Sequence, residues 1–156
     1  CAYHPRMREY WMLDWEIDLN FICCDLQGRV KRDVALVSSD NLKVFAFCFD
    51  EEGDMFIANN QHTFYRYIPA DSDKCSTYLR MWKTELFDPE HNAWQNASGV
   101  ACHEDTVFGI FKYGPILQMS KAAGSIMRVI NLQFEVTNIE QVIPRRVQCA
   151  CYVLLS

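Results

Sequence analysis

The most regular feature of the sequence is an alternation of apolar and polar residues between Trp11 and Cys23. The apolar positions of the alternation are Trp11, Leu13, Trp15, Ile17, Leu19, Phe21 and Cys23. The positions between them are mostly acidic or amide residues. A period of two places these side chains on one face of an extended strand and the polar ones on the other. The pattern therefore predicts one long strand with a buried face and a solvated face.

Shorter segments with strand character follow, separated by residues that favour turns. A second alternation begins at Val30, and the apolar run 42–49 is typical of a strand covered on both faces. Further strands are predicted at 55–58, 63–68, 106–113, 126–136 and 146–155, with a long connection over 87–105.

One segment changes period. Its apolar residues follow helical spacing, and they are Tyr78, Leu79, Trp82 and Leu86. Three residues that could each cap the start of a helix precede them: Asp71, Ser72 and Asp73. This pattern predicts one helix near residues 73–86. The predicted elements indicate a mainly β protein, with about eight mostly antiparallel strands in a single β-rich domain spanning 1–156. A closed barrel or a two-sheet sandwich is the expected architecture, because both limit exposed strand edges.

The segment 45–68 resembles one blade of a β-propeller, with its hairpin loop centred on Gly53. No sequence repeat of the length that marks such folds accompanies it. A single blade without repeats does not close a propeller. The sequence alone therefore argues against that fold.

Composition narrows the classes of function. Half of the residues are hydrophobic and 22% are charged, which is typical of a packed globular domain. The net charge of -5 opposes attraction to phosphate backbones, so we do not expect nucleic-acid binding. No apolar stretch reaches the ~20 residues of a membrane span. The sequence also lacks a glycine-rich phosphate loop and a nucleophile elbow, and no cofactor is expected.

Eight cysteines and one glycosylation sequon favour an exported protein. All eight are candidates for disulfide bonds, and spacing alone selects no pairing: Cys1, Cys23, Cys24, Cys48, Cys75, Cys102, Cys149 and Cys151. Asn96 begins an Asn-Ala-Ser acceptor for N-glycosylation. We expect an extracellular or luminal location, with buried free thiols in a reducing compartment as the alternative.

The segment Glu16 to Phe21 resembles the catalytic strand of retaining β-glucanases of the laminarinase and lichenase type. In that family Glu, Asp and Glu alternate along one face of a jelly-roll strand. The resemblance implies that Glu16 is a nucleophile and that Asp18 tunes it. The family's acid/base residue falls at Asn20, whose amide cannot exchange the required proton. A solvated outer strand face is the alternative role of these carboxylates.

Two clusters contain metal-ligand residue types without the spacing that metal sites need. Residues 102–105, Cys-His-Glu-Asp, lack the paired spacing of a structural zinc site, even with His91 added. The acids around Gly53, at 50–54, do not follow the calcium-loop pattern, so they are predicted to form a solvated hairpin tip. No metal site is expected.

Aromatic residues make up 13% of the chain and supply the candidate ligand-binding positions. These candidates are Trp11, Trp15, Phe45, Phe47, Tyr65 and Tyr67, with packing between sheets as their alternative role. The leading hypothesis is an exported, non-enzymatic binding domain that recognises an apolar small ligand or a protein partner through a barrel cavity or an aromatic strand face. One alternative is a carbohydrate-active or degenerate glycoside-hydrolase-like domain acting through Glu16 and Asp18. Another is a structural sandwich domain that forms a homo-oligomer.

Overall fold

A computed structural model describes residues 1–14, 19–36, 42–59, 62–71, 73–85, 97–111 and 115–131. These residues form strands and turns, and no helix occurs among them. The prediction of a mainly β protein is confirmed. The predicted strand at 146–155 lies outside the described residues. No described segment is a helix capable of crossing a bilayer.

The described residues contain twelve antiparallel strands in three four-stranded sheets. The first sheet consists of β1 (Ala2–His4), β2 (Glu9–Leu13), β3 (Asn20–Cys24) and β4 (Val30–Ala35). The middle sheet consists of β5 (Val44–Phe49), β6 (Met55–Asn59), β7 (Thr63–Pro69) and β8 (Tyr78–Glu85). The third sheet consists of β9 (Ala97–His103), β10 (Thr106–Phe111), β11 (Ile116–Ser120) and β12 (Ile126–Ile130). In each sheet every strand pairs with the next along the chain.

The middle sheet is buried on both faces. One face packs against Trp11 and Phe21 of the first sheet, and the other packs against Val107 and Leu117 of the third. All five residues of β6 are buried as a result. Each large apolar side chain buried in these two layers contributes roughly 1.5–3 kcal/mol to stability. The layered core therefore fixes the order in which the three sheets lie.

The prediction of one long strand from Trp11 to Cys23 is wrong, because this segment forms an antiparallel hairpin of β2 and β3. Trp11 pairs with Cys23, and Leu13 pairs with Phe21. Paired residues lie on the same face of a sheet, and here both members of each pair carry odd numbers. The alternation therefore continues unbroken from one strand to the next, although the chain reverses direction.

The predicted helix near 73–86 is also wrong, because β8 occupies this segment. The register of β8 against β7 shifts at Met81, where β8 contains one extra residue. Such a bulge reverses the faces that follow it. Tyr78 consequently joins the core shared with the first sheet, and Trp82 joins the core shared with the third. In a strand with a bulge, residues buried on the two faces can therefore show the spacing that is typical of a helix.

The structure corrects the predicted architecture as well. The described residues contain twelve strands rather than about eight, and they form no closed barrel. Their sheets pack face to face as in a sandwich, but they are three rather than two. The unit at 45–68, extended by β8, is one of three four-stranded meanders that each resemble a propeller blade. The repeat is therefore present in the structure although it is not recognisable in the sequence.

Glu9 on β2 is a buried carboxylate that ties β2 to β4. Its side chain is 1% exposed and accepts hydrogen bonds from Lys31 at 2.9 Å and Arg32 at 3.0 Å. Burial alone would raise the pKa of Glu9, but the two cationic donors lower it below its usual value. The ionised form is thus the one that the fold stabilises.

We expect the substitution Glu9→Gln to lower the free energy of unfolding by about 1 to 2 kcal/mol, because it weakens two charge-assisted hydrogen bonds. Urea titration at neutral pH measures the change. The matched control is Glu85→Gln, since Glu85 is exposed and its ion pair with Lys83 at 3.3 Å lies at the surface. Equal effects of the two substitutions would contradict the role assigned to Glu9.

Candidate functional site

A cleft of about 590 Å³ opens where the first hairpins of the three sheets meet. The loop after β5 lines one wall with residues 49–52, and the turn between β9 and β10 lines another with residues 102–105. Tyr3 and Pro5, at the end of β1, complete the wall, and Lys121 after β11 also lines the cleft. The cleft arises because β5 lies against both β1 and β9, which places the ends of these strands close together.

Lys121 is held by two carboxylates. Its ammonium nitrogen lies 2.7 Å from Asp50 and 2.8 Å from Glu52. Burial alone would lower the pKa of Lys121, but the two carboxylates raise it above its usual value. Burial raises the pKa of Asp50, and Lys121 opposes that shift. The charge of Lys121 is therefore already compensated within the protein.

The loop between β5 and β6 is fixed by hydrogen bonds from its own backbone. Asp50 accepts the backbone N–H of Asp54 at its side chain and that of Gly53 at its carbonyl oxygen. Gly53 has a φ of 86°, and a Cβ there would lie 2.8 Å from the His4 ring. Glycine is therefore required at the tip. Arg66 binds Asp54 at 2.6 Å and so anchors the end of the loop.

The prediction of a solvated hairpin tip is correct for only some of its acidic residues. Asp50 and Asp54 are buried, because each pairs with a cation from another segment. Glu51 and Glu52 are exposed as predicted. No local pattern in the sequence indicates that Lys121 lies beside them, because it is 69 residues from Glu52.

The rim of the cleft carries three further carboxylates, which we call the acidic rim: Glu51, Glu104 and Asp105. Glu51 and Asp105 form no ion pair with any residue in the described ranges. Glu104 lies 3.9 Å from the His103 ring, and both side chains are largely exposed. No group of three or more metal-ligand side chains occurs in the part of the chain that the structure describes. The rim is thus an anionic surface of the cleft whose three carboxylates belong to exposed residues.

A buried hydrogen-bond chain supports the loop from below. His4 accepts the backbone N–H of Met7 at Nδ1, so its proton lies on Nε2 and is donated to the Tyr78 hydroxyl at 3.0 Å. Tyr78 in turn donates to the carbonyl oxygen of Gly53 at 3.2 Å. Burial lowers the pKa of His4 to about 4. A neutral imidazole is therefore part of the structure that holds the cleft.

The predicted ligand-binding aromatics are mostly packed in the core. Trp11, Phe47, Tyr65 and Tyr67 are buried between the first and middle sheets. Phe45 is 51% exposed, because it is the extra residue of a bulge in β5. These five residues do not line the cleft, and their role in ligand binding stays a prediction.

Several other predicted site residues lie outside the described residues. They are Trp15, Glu16, Asp18, Asn96, Cys149 and Cys151. The six described cysteines form no disulfide bond with one another in the structure. Cys1 is exposed, Cys23, Cys24 and Cys75 are buried, and Cys48 and Cys102 are half-buried. Disulfide bonding and export both stay predictions.

No family model and no curated protein matches the sequence. Among solved structures, glutaminyl cyclase from Myxococcus xanthus is similar at a TM-score of 0.54 and 8% identity, covering 80% of this chain and 49% of that one. BamB from Moraxella catarrhalis is similar at a TM-score of 0.49 and 15% identity, covering 67% of this chain and 28% of that one. The chain thus spans less than half the length of either protein. At such identities the likeness to the cyclase shows the fold alone, a β-propeller-like arrangement of sheets.

Proposed function

We propose that this protein is a non-enzymatic binding domain that holds a basic segment of a partner protein in the cleft. The observation that carries the proposal is the acidic rim. It provides three carboxylates beside a lysine whose charge Asp50 and Glu52 already compensate. An incoming lysine or arginine would find anionic partners there without displacing Lys121.

The walls of the cleft suit the aliphatic part of a basic side chain. Tyr3 is 42% exposed and Phe49 is half-buried, and both line the cleft. Lysine and arginine bury their methylene groups on such surfaces while their charged ends remain at the rim. The volume of the cleft falls within the ~300–1,000 Å³ of ordinary ligand sites, which is enough for a few side chains.

The net charge of the whole protein also favours a basic partner. The net charge of -5 attracts cationic segments over distances of about a Debye length. An apolar small ligand is a less suitable occupant, since carboxylates border the opening. Export is part of the proposal, and the sequon at Asn96 and the eight cysteines support it.

Binding of a short fluorescent peptide of alternating lysine and phenylalanine tests the proposal. Anisotropy should rise on titration with the protein, and the affinity should fall as salt is added. The triple variant Glu51→Gln, Glu104→Gln, Asp105→Asn should bind about tenfold more weakly, because exposed ion pairs contribute roughly 0.2–1 kcal/mol each.

The matched control removes the same charge from exposed positions elsewhere. These substitutions are Asp33→Asn, Asp73→Asn and Glu85→Gln. The control should keep most of the affinity, and a peptide with glutamate in place of lysine should not bind. The proposal is wrong if the peptide does not bind the unmodified protein, or if the two triple variants weaken binding equally.

A further inference from the structure

Two half-buried cysteines from different sheets meet beside the cleft. Cys48 lies in β5 of the middle sheet, and Cys102 lies in β9 of the third. Their sulfur atoms are 3.8 Å apart, although the residues are separated by 54 positions in the sequence. This distance is a van der Waals contact, and a disulfide bond between the two residues would bring the sulfur atoms to ~2.05 Å.

The two thiols differ in their access to the cleft. Cys102 lines the cleft, whereas Cys48 is not among the lining residues. The Cys48 thiol donates to the Cys102 sulfur, and the Cys102 thiol donates to the carbonyl oxygen of Phe49 at 3.4 Å. A reagent entering the cleft would therefore reach Cys102 first, with Cys48 in contact behind it.

We infer that Cys48 and Cys102 form a redox-active dithiol pair, in which Cys102 attacks small disulfides that enter the cleft and Cys48 resolves the mixed disulfide. The inference does not depend on the proposed binding of a partner protein. It assigns a pairing that the spacing of the eight cysteines leaves open.

The surroundings of Cys102 favour its thiolate. The hydrogen bond from Cys48 lowers the pKa of Cys102, and Lys121 adds to this effect, while burial and the carboxylates of Asp50 and Glu52 oppose it. Thiolates are the reactive form of cysteine. By contrast, burial raises the pKa of Cys23 to about 12 and also raises that of Cys75. Among these thiols, Cys102 combines access with the more favourable ionisation.

The reaction is two successive thiol–disulfide exchanges. The Cys102 thiolate attacks one sulfur of the small disulfide, the S–S bond of the reagent breaks, and its first half leaves and takes up the proton lost by Cys102. The Cys48 thiolate then attacks the sulfur of Cys102 and displaces the second half, which takes up the proton lost by Cys48. The protein is oxidised by two electrons, and the reagent is reduced to two thiols.

The acidic rim determines which small disulfides react fastest. Glu51, Glu104 and Asp105 attract cations and repel anions at the opening. Cystamine, which carries two ammonium groups, should therefore react faster than oxidised glutathione, which is an anion. The difference should shrink as salt is added.

The test treats the folded, reduced protein with cystamine, blocks the remaining thiols and maps the peptides by mass spectrometry. The unmodified protein should lose two hydrogens and yield a linked pair of peptides containing Cys48 and Cys102. The variant Cys48→Ser should instead retain one cysteamine group on Cys102. The variant Cys102→Ser should yield no such link, whereas the control Cys1→Ser should behave like the unmodified protein.

Folding of the variants is checked by circular dichroism. If either variant fails to fold, limited cystamine treatment of the unmodified protein supplies the test, because the Cys48–Cys102 link must then form before a cysteamine group appears on any other buried or half-buried cysteine. Linkage of Cys102 to a different cysteine would overturn the inference. So would a first modification at Cys48, or a folded Cys48→Ser variant that retains no cysteamine on Cys102.

Discussion

Replacing Gly109 with alanine is expected to lower the free energy of unfolding by about 2 to 3 kcal/mol. Gly109 lies in β10, and a Cβ built there would approach three ring carbons of Phe64 at 2.5, 2.7 and 2.9 Å. Phe64 is fully buried in the layer between the middle and third sheets and packs edge-on against Phe111. The ring has little room to retreat, because close-packed cores contain few voids. The added methyl group must therefore separate the two sheets or force the ring from its rotamer.

Gly99 provides the matched control for this substitution. It lies in β9 of the same sheet, but a Cβ there would meet only Ile110 at 3.5 Å or more, which is ordinary contact. Gly99→Ala should be neutral or slightly stabilising, since alanine reduces the entropy of the unfolded chain. Urea titration of both variants measures the difference. A second variant, Gly109→Ala with Phe64→Leu, should be less destabilised than the sum of its two substitutions. Equal unfolding midpoints for Gly99→Ala and Gly109→Ala would show that the close approach to Phe64 does not constrain the sheets.

The elements that the sequence predicted well are short strands that contain no extra residue. Residues 55–58 and 63–68 correspond to β6 and β7, which pair with each other without a register shift. The prediction failed where a bulge interrupts the period, as at Met81, since an extra residue exchanges the two faces. It also failed at β9, whose small residues have low strand propensity and are buried because the middle sheet covers them.

The site was visible in the sequence only as separate pieces. The acids at 50–54 and the segment 102–105 stand out in the sequence as clusters of metal-ligand residue types, but neither has the spacing of a metal site. They meet because β5 and β9 lie side by side, and that neighbourhood depends on how three sheets pack. Contacts of this kind, between residues far apart in sequence, leave no local period from which they can be predicted.

The packing of the sheets also places the acidic rim and the dithiol pair at one cleft. The first strands of the three sheets, β1, β5 and β9, lie next to one another, and the loops that follow them converge. The acidic rim is carried by those loops, and the dithiol pair lies on the strands beneath. A ligand that occupies the rim would therefore limit the access of small disulfides to Cys102.

Acidification is expected to destabilise the protein through His4, by about 3 kcal/mol between pH 6.5 and pH 4. Burial of the ring lowers the pKa of His4 to about 4, from 6.5 in the unfolded chain. Because the folded pKa is the lower of the two, the unfolded chain binds the proton more readily. The contribution is therefore fully present above pH 6.5 and is lost as the pH falls towards 4. Protonation would also place a proton on Nδ1, where the ring now accepts the N–H of Met7.

The pH profiles of two variants isolate this contribution from that of the carboxylates. His4→Gln cannot ionise, and its amide can still donate to Tyr78, so its unfolding free energy should change little between pH 6.5 and about pH 5. His103→Gln should keep the profile of the unmodified protein, because the side chain of His103 is 74% exposed. Urea titrations at a series of pH values measure all three proteins. If His4→Gln loses stability over that interval as steeply as His103→Gln does, the loss arises from other groups, and a neutral His4 is not what holds the loop beneath the cleft.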